Sequence, residues 1–474
     1  MPNWYILMTV STGNQMSMQE HYSALLESLN TTFRSGKTRA LSWRKAQLNA
    51  LSALVEENQQ QIAEALEKDL GKCQAESYTS EIGFLLGDIR HTLKHLSGWN
   101  KPRKVSTPLV AWPGKSFRYP EPLGTVLIIG AWNYPFQLVL APYIAALAAG
   151  NCAVLKPSEL AENTSALLAE LIPKYLDGDA VKVIEGAKEE TTALLALKWD
   201  HIFYTGGEAV GKVVMSAAAK HLTPVTLELG GKSPCLVDSR THLAVSARRI
   251  VWGKWMNAGQ TCIAPDYVLV EKGLLPAFME AISEELNKQY GDNPLQSDDY
   301  GNIINPRHLA RLKSYLEGQD IALGGEVDDI TNAMAPSIVV DPAMDSALMQ
   351  EEIFGPILPV VTVDSMEDAI AFINDRPKPL ALYLFTDDKH LEDRVLSSTS
   401  AGNVCINDTM MFMANPELPF GGVGNSGMGS YHGRAGFDTF SHLKTVMRRS
   451  FLFDAAFRYA PFSDLKLKIL KKFL

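Results

Sequence analysis

Between residues 122 and 155 the chain carries no charged side chain. A run that long must be buried in protein or cross a bilayer, since about 20 apolar residues in a helix span the hydrocarbon. Its contents argue against the bilayer. Pro122, Pro135 and Pro142 would interrupt a helix, and Asn133, Gln137 and Asn151 would carry amides into lipid. Two sections, 125–130 (TVLIIG) and 151–155 (NCAVL), are short and β-rich, with a Gly/Pro turn between them. That pattern predicts buried strands.

The same form recurs at 181–184 and 201–204, and again at 235–238, 267–271, 338–340, 359–363 and 381–385. Helical stretches lie between most of these, including 243–257, 275–290 and 366–374. Short apolar strands alternating with helices imply parallel sheets covered on both faces, so the fold class is α/β with a second α/β unit. Upstream, residues 1–100 read as helices, and 40–70 has apolar residues at helical spacing. The boundary between the units is expected near 228–233 (ELGGKS), on account of its glycines. With 474 residues, the chain is too long for one core.

A net charge of −9 argues against a nucleic-acid partner, because phosphate binding needs concentrated Lys and Arg. Cys73, Cys152, Cys235, Cys262 and Cys405 are scattered and form no CxxC pair, so neither a disulfide framework nor a metal site is expected. That usage fits a reducing, cytoplasmic setting and leaves a thiol free to act as a nucleophile. The apolar run at 4–10 is not expected to be a signal peptide, as the first Lys or Arg is Arg34 and no small-residue cleavage site follows. The last ten residues, 465–474 (LKLKILKKFL), form a basic amphipathic tail. It could touch a membrane surface weakly, but packing of its apolar face on the body is the favoured reading.

Five short motifs carry chemistry, each with a bland alternative. Gly206-Gly207-Glu208-Ala209-Val210-Gly211 follows a strand and opens a helix, where backbone N–H groups favour a pyrophosphate; the spacing is not GxGxxG, and such entries are often structural. Lys156-Pro157-Ser158-Glu159 ends a strand and could grip ribose hydroxyls or cap a turn. In Gly259-Gln260-Thr261-Cys262, small residues would let a carbonyl approach a thiol that is otherwise an inert buried cysteine. Glu228, flanked by leucines and followed by two glycines, is a partly desolvated base or a surface acid at a strand end. Asn133, an amide in an apolar stretch, needs a partner and could donate to an oxyanion or cap a turn.

Taken in order, WNYP, KPSE, YTGG, LELGGKSP, GQTC, EEIFGP and PFGGVGNSGMG resemble the aldehyde dehydrogenase superfamily over residues 40–449. GQTCIAPDY and the RYAPFS-plus-basic-tail ending look like its class 3 branch, which includes fatty and aromatic aldehyde dehydrogenases. The resemblance implies a Cys262 nucleophile, a Glu228 general base and an Asn133 oxyanion amide assisted by the Cys262 N–H. It implies NAD, with NADP also accepted, held by Lys156 and Glu159 at the adenosine ribose, by Gly206, Gly207 and Gly211 at the pyrophosphate, and by Glu352 and Phe354 at the nicotinamide. Gly207 stands where many members carry Ser. No metal is implied. The implied fold is a Rossmann-like cofactor domain (1–105 and 123–228), a catalytic domain (229–404), a bridging arm (106–122 and 405–449) and a tail (450–474). A homodimer joined through the arm is also implied.

Three alternatives remain on this reading. One is an acylating relative that passes the thioester to coenzyme A; Glu228 argues against it, since such members commonly lack that base. A cysteine hydrolase would need a His near the thiol, and none lies between His242 and His308. A silent protein on this fold is disfavoured by the retention of Cys262, Glu228 and Asn133.

Overall fold

The computed structural model describes the backbone of residues 5–452 and 454–473, and the side chains of 18–452 and 454–472. The side chains of the 4–10 run therefore lie outside the described residues. The charge-free segment folds as strand Thr125–Ile129, helix Gln137–Ala149 and strand Cys152–Lys156, and every residue of these three elements is buried. Pro142 sits inside the helix without breaking it. Burial of the whole cylinder outweighs the roughly 3 kcal/mol that an interior proline costs. Among the described residues, no helix is long and apolar enough to cross a membrane.

Five parallel strands, Thr125–Ile129, Cys152–Lys156, Val181–Val183, His201–Thr205 and Val225–Glu228, stand in the sheet order 5-4-1-2-3 by sequence. This is the doubly wound, Rossmann-like arrangement. A sixth strand, Gly427–Met428, adds antiparallel to Val225–Glu228. A second sheet of seven strands runs Ile321–Leu323, Ser337–Val340, Ile357–Val363, Tyr267–Glu271, Pro234–Val237, Ala381–Phe385, Asn403–Ile406, with only the first strand antiparallel. Thus 229–233 is where the chain leaves one sheet for the other. A third, antiparallel sheet joins Arg103–Val105, Lys115–Pro122 and Ser441–Arg448. Of the 405–449 stretch, only its last strand belongs to this arm. Asn403–Ile406 edges the seven-stranded sheet and Gly427–Met428 edges the Rossmann-like one.

The 40–70 stretch, read as helical, forms two helices, Leu41–Glu57 and Gln59–Leu70. The break is Asn58, whose side-chain amide donates to the Leu54 carbonyl (2.8 Å) and so competes with the helix ladder. Helix Leu41–Glu57 is tied to the buried segment by Arg44. Its guanidinium, 3 % exposed, donates to the carbonyls of Thr38 (3.2 Å) and Ala148 (3.0 Å) and to Asn100 Oδ1 (3.1 Å). Ala148 lies in the last turn of its helix, where carbonyls lack partners within the helix.

Arg44→Leu therefore should strand several buried carbonyls and cost about 2–4 kcal/mol. A urea titration monitored by tryptophan fluorescence checks this; an unchanged midpoint would show that Arg44 is dispensable.

Candidate active site

The site residues come from opposite edges of the two sheets. Glu228, Thr205 and Lys156 end strands of the Rossmann-like sheet. Cys262 precedes the catalytic strand Tyr267–Glu271, and Glu352 precedes Ile357–Val363. The carboxyl edge of one sheet thus faces the amino edge of the other, in keeping with ligand sites at strand carboxyl ends.

The expected helix 243–257 ends at Trp255, and the chain then enters a tight turn. Asn257 (φ 54°), Ala258 (φ 50°) and Gly259 (φ 73°) are consecutive left-handed residues. For Asn257 and Ala258 that conformation costs of order 1–3 kcal/mol each and persists only where surroundings enforce it. They do so here. A side chain at 259 would lie 2.2 Å from the Gly355 carbonyl oxygen, so only glycine fits against the EEIFGP loop. Trp255 Nε1 donates to the Pro356 carbonyl (2.8 Å) from the same helix end. Three residues on, half-buried Cys262 emerges. Burial pushes its thiol pKa up, and the nearby carboxylates of Glu352 and Glu228 push in the same direction.

Asn133 reaches this turn from the other sheet. Its side-chain Nδ2 donates to the Gln260 carbonyl (3.0 Å), and its own carbonyl accepts from Asn257 Nδ2 (2.8 Å). Beside it, the Tyr134 hydroxyl and Thr261 Oγ1 are 2.7 Å apart. Gln260 is fixed in turn, donating to the Asn302 carbonyl (2.9 Å) and accepting from Ile304 N–H (3.0 Å). One amide proton of Asn133 remains for a ligand.

Glu228 is 3 % exposed, and neither carboxyl oxygen has a hydrogen-bond partner among the described residues. Burial alone raises its pKa well above the usual carboxylate range. Its backbone is held on both sides, by Gly206 N–H donating to its carbonyl (3.0 Å) and by pairing with Gly427. The PFGGVGNSGMG motif therefore buttresses the Glu228 strand.

Glu352 lies over the Gly230-Gly231 backbone; a side chain at 230 would come within 2.2 Å of its carboxyl oxygens. Burial and Asp266 raise its pKa to about 8, against the Gly231 N–H and the Lys232 and Arg311 cations. Lys232 braces this loop. It pairs with Asp266 (2.6 Å) and donates to the carbonyls of Leu348 and Glu351 (each 2.9 Å). Phe354 (φ 47°) stands edge-on to Trp132 with ring centres 5.2 Å apart, so EEIFGP meets WNYP directly.

Lys156 is 1 % exposed and donates to the Pro157 carbonyl (2.7 Å), while Glu159 is exposed at the end of the same loop. Gly207 precedes helix Glu208–Ala219 with open space where a side chain would stand. Gly211 packs the helix on the sheet, since a Cβ there would lie 2.8 Å from Leu229.

Residues 8–446 match the aldehyde dehydrogenase family. The chain belongs to that family. It is an oxidoreductase that oxidises aldehydes with NAD(P). The chain is 51% identical to rat aldehyde dehydrogenase family 3 member A2, over 95% of this chain and 93% of the relative. It is 48% identical to Arabidopsis thaliana aldehyde dehydrogenase family 3 member H1, over 95% and 94%. A solved Staphylococcus aureus AldH in a substrate-bound state superposes with a TM-score of 0.93 at 46% identity, over 95% of this chain and 99% of that one. The residues expected to hold NAD(P) fit such a group. Gly207 leaves a helix N-terminus open to a phosphate, and Glu352 Oε1 is buried without a partner.

Several members of this site had no sequence signature. Lys72, Glu81 and Asn257 belong to none of the quoted motifs, and Gln260, inside GQTC, was given no role of its own, yet all four are buried here.

A raised Glu228 pKa has a consequence for stability. The folded carboxyl keeps its proton above the pH where the unfolded one loses it, so the group destabilises the fold increasingly as pH rises. Glu228→Gln should raise Tm by an amount that grows as pH climbs above the usual carboxylate range. Calorimetry of both proteins checks it; a pH-independent difference would mean the carboxyl ionises normally.

Proposed function

We propose that the chain oxidises aldehydes through a covalent thioester on Cys262. The observation that carries this reading is that a fixed amide and an unpartnered buried carboxyl stand beside a thiol: Asn133 bonds Gln260, two residues before Cys262, and Glu228 lies close enough to that thiol to act on it electrostatically. Having lost its proton to solvent, the Cys262 sulfur adds as thiolate to the aldehyde carbon, and the carbonyl oxygen becomes an oxyanion. The free amide proton of Asn133 and the Cys262 N–H receive it, each donor worth roughly 3–4 kcal/mol in comparable sites. Bound NAD(P) supplies the hydride acceptor that makes the addition a net oxidation. Lys156 and Glu159 hold the adenosine ribose, Gly206, Gly207 and Gly211 flank the pyrophosphate, and Glu352 and Phe354 orient the nicotinamide end. Glu228 then takes a proton from water, which attacks the thioester and frees the acid. A desolvated carboxyl suits that step, because its high proton affinity makes it a strong base once ionised.

Exposed Glu159 would repel a 2′-phosphate, which supports NAD. A rat relative named "dimeric NADP-preferring", 48% identical over 90% of this chain, supports use of NADP as well. The same name, with the arm sheet standing apart from both larger sheets, supports a homodimer joined through the arm. Five free cysteines support a reducing, cytoplasmic setting. In the tail, helix Asp464–Phe473 leaves Leu465 and Leu467 exposed beside Lys466 and Lys468, with Phe462 exposed just before it. Those side chains are not packed on the body, which supports weak contact with an anionic membrane surface.

Cys262→Ala should bind NAD with unchanged affinity yet release no reduced cofactor with any aliphatic or aromatic aldehyde. Glu228→Gln should give a burst of reduced cofactor close to one per site, then a steady rate about a hundredfold or more below wild type. Stopped-flow absorbance with a panel of aldehydes tests both; steady turnover by Cys262→Ala would remove the thiol from the mechanism.

A further inference from the structure

The turn that carries Asn133 is gripped from beneath by two charged side chains that no motif includes. Lys72 and Glu81 come from the helical N-terminal region, and both side chains are fully buried, with Lys72 Nζ 2.6 Å from Glu81 Oε1. Lys72 Nζ also donates to the Asn133 carbonyl (2.9 Å) and lies over the Tyr134 ring at 4.0 Å. The other oxygen of Glu81 accepts from the N–H groups of Phe136 (2.9 Å) and Gln137 (3.1 Å), where helix Gln137–Ala149 begins. One ion pair therefore holds both ends of the WNYP turn: the carbonyl at Asn133 and the first helical N–H groups three and four residues later.

Stability alone is a poor reason for such a pair. Desolvating two charges offsets most of their attraction, and apolar side chains of similar volume often serve a core as well or better. What the pair adds is a fixed direction. The Asn133 carbonyl is held by Lys72 and Asn257, and its side-chain amide is held by the Gln260 carbonyl. Its remaining amide proton then has one orientation in which to meet a ligand.

We infer that Lys72 and Glu81 are positioning residues of the oxyanion site, acting through the backbone of the Asn133 turn. This rests on the reading of Asn133 as the oxyanion donor. The pair touches neither substrate nor thiol, so its loss should slow the addition step while leaving the thiol's reactivity and cofactor binding in place.

The test is the double substitution Lys72→Met with Glu81→Gln, which removes both charges together and keeps an acceptor for the Phe136 and Gln137 N–H groups. Four quantities are measured on the full-length protein: Tm, NAD affinity, the rate of Cys262 alkylation by iodoacetamide, and the rate of the hydride burst with an aldehyde. Alkylation at carbon needs no oxyanion, so it reports thiol reactivity alone. The expected result is a burst at least about tenfold slower, with alkylation and NAD affinity within about twofold of wild type. A burst within about threefold of wild type overturns the inference, as does a parallel loss of all four quantities. Should the double variant not fold, Lys72→Arg decides. It keeps the charge but cannot set one ammonium between Glu81 and the Asn133 carbonyl, so the same split is expected and a wild-type burst overturns the idea. Asn133→Ala separates this inference from the reading beneath it. If that variant keeps its burst, the oxyanion role of Asn133 fails. If it slows about a hundredfold while the pair variants do not, only the role of Lys72 and Glu81 fails. In the Asn133→Ala background the pair substitutions should add less than about threefold, because their effect passes through that amide.

Discussion

The donation from Asn133 Nδ2 to the Gln260 carbonyl spans 127 positions of sequence and two separate sheets. Both ends are buried, so an unmade bond would leave polar atoms without water. Around it lie the supports already described. Asn257 bonds back to the Asn133 carbonyl, Gln260 is tied to Asn302 and Ile304, and the left-handed turn before Cys262 is wedged against Gly355. A backbone held in a costly conformation needs such enclosure. Here the enclosure comes from the second sheet's own loops, so the strain that presents the thiol is sustained by the same contacts that close the cleft.

Charge is distributed around this cleft with an evident division. Lys72–Glu81 and Lys232–Asp266 are buried pairs with short contacts, and both brace backbone. Glu228 is buried and Glu352 half-buried, and both Glu228 oxygens and Glu352 Oε1 are sealed from solvent without a partner among the described residues. Polar atoms without partners cost free energy, so these carboxyl oxygens mark where ligand atoms are expected to complete the bonding. Burial is the largest cause of the raised pKa of both carboxyls and of the Cys262 thiol; Asp266 adds to it at Glu352, and the two glutamates add to it at Cys262.

The arm and the edges of the sheets show how one chain is cross-laced. The 405–449 stretch lends a strand to the catalytic sheet, then one to the cofactor sheet beside Glu228, then one to the arm. Motifs late in the sequence therefore stabilise strands formed early. The sheet that carries Glu228 gains an extra hydrogen-bonded neighbour at the point where its backbone must not move.

Much of this was legible in the sequence because it depends on local pattern. Strand and helix periodicity marked both α/β units, and the charge-free stretch predicted its own burial. Ordered motifs carried the family, and the structure brings Cys262, Glu228 and Asn133, which those motifs singled out, near one another. Other features had no local signal. Asn58 splits a helix through one side-chain bond, and Pro142 is absorbed by a helix whose full burial compensates for it. Lys72 and Glu81 lie in no motif, yet both side chains are sealed beneath the Asn133 turn. The reason is physical: a residue's type and spacing fix what it can bond, while which partner it meets depends on the packing of elements distant in sequence. Chemistry and class were set by the chain's own order of residues; orientation, desolvation and restraint came only with the tertiary fold.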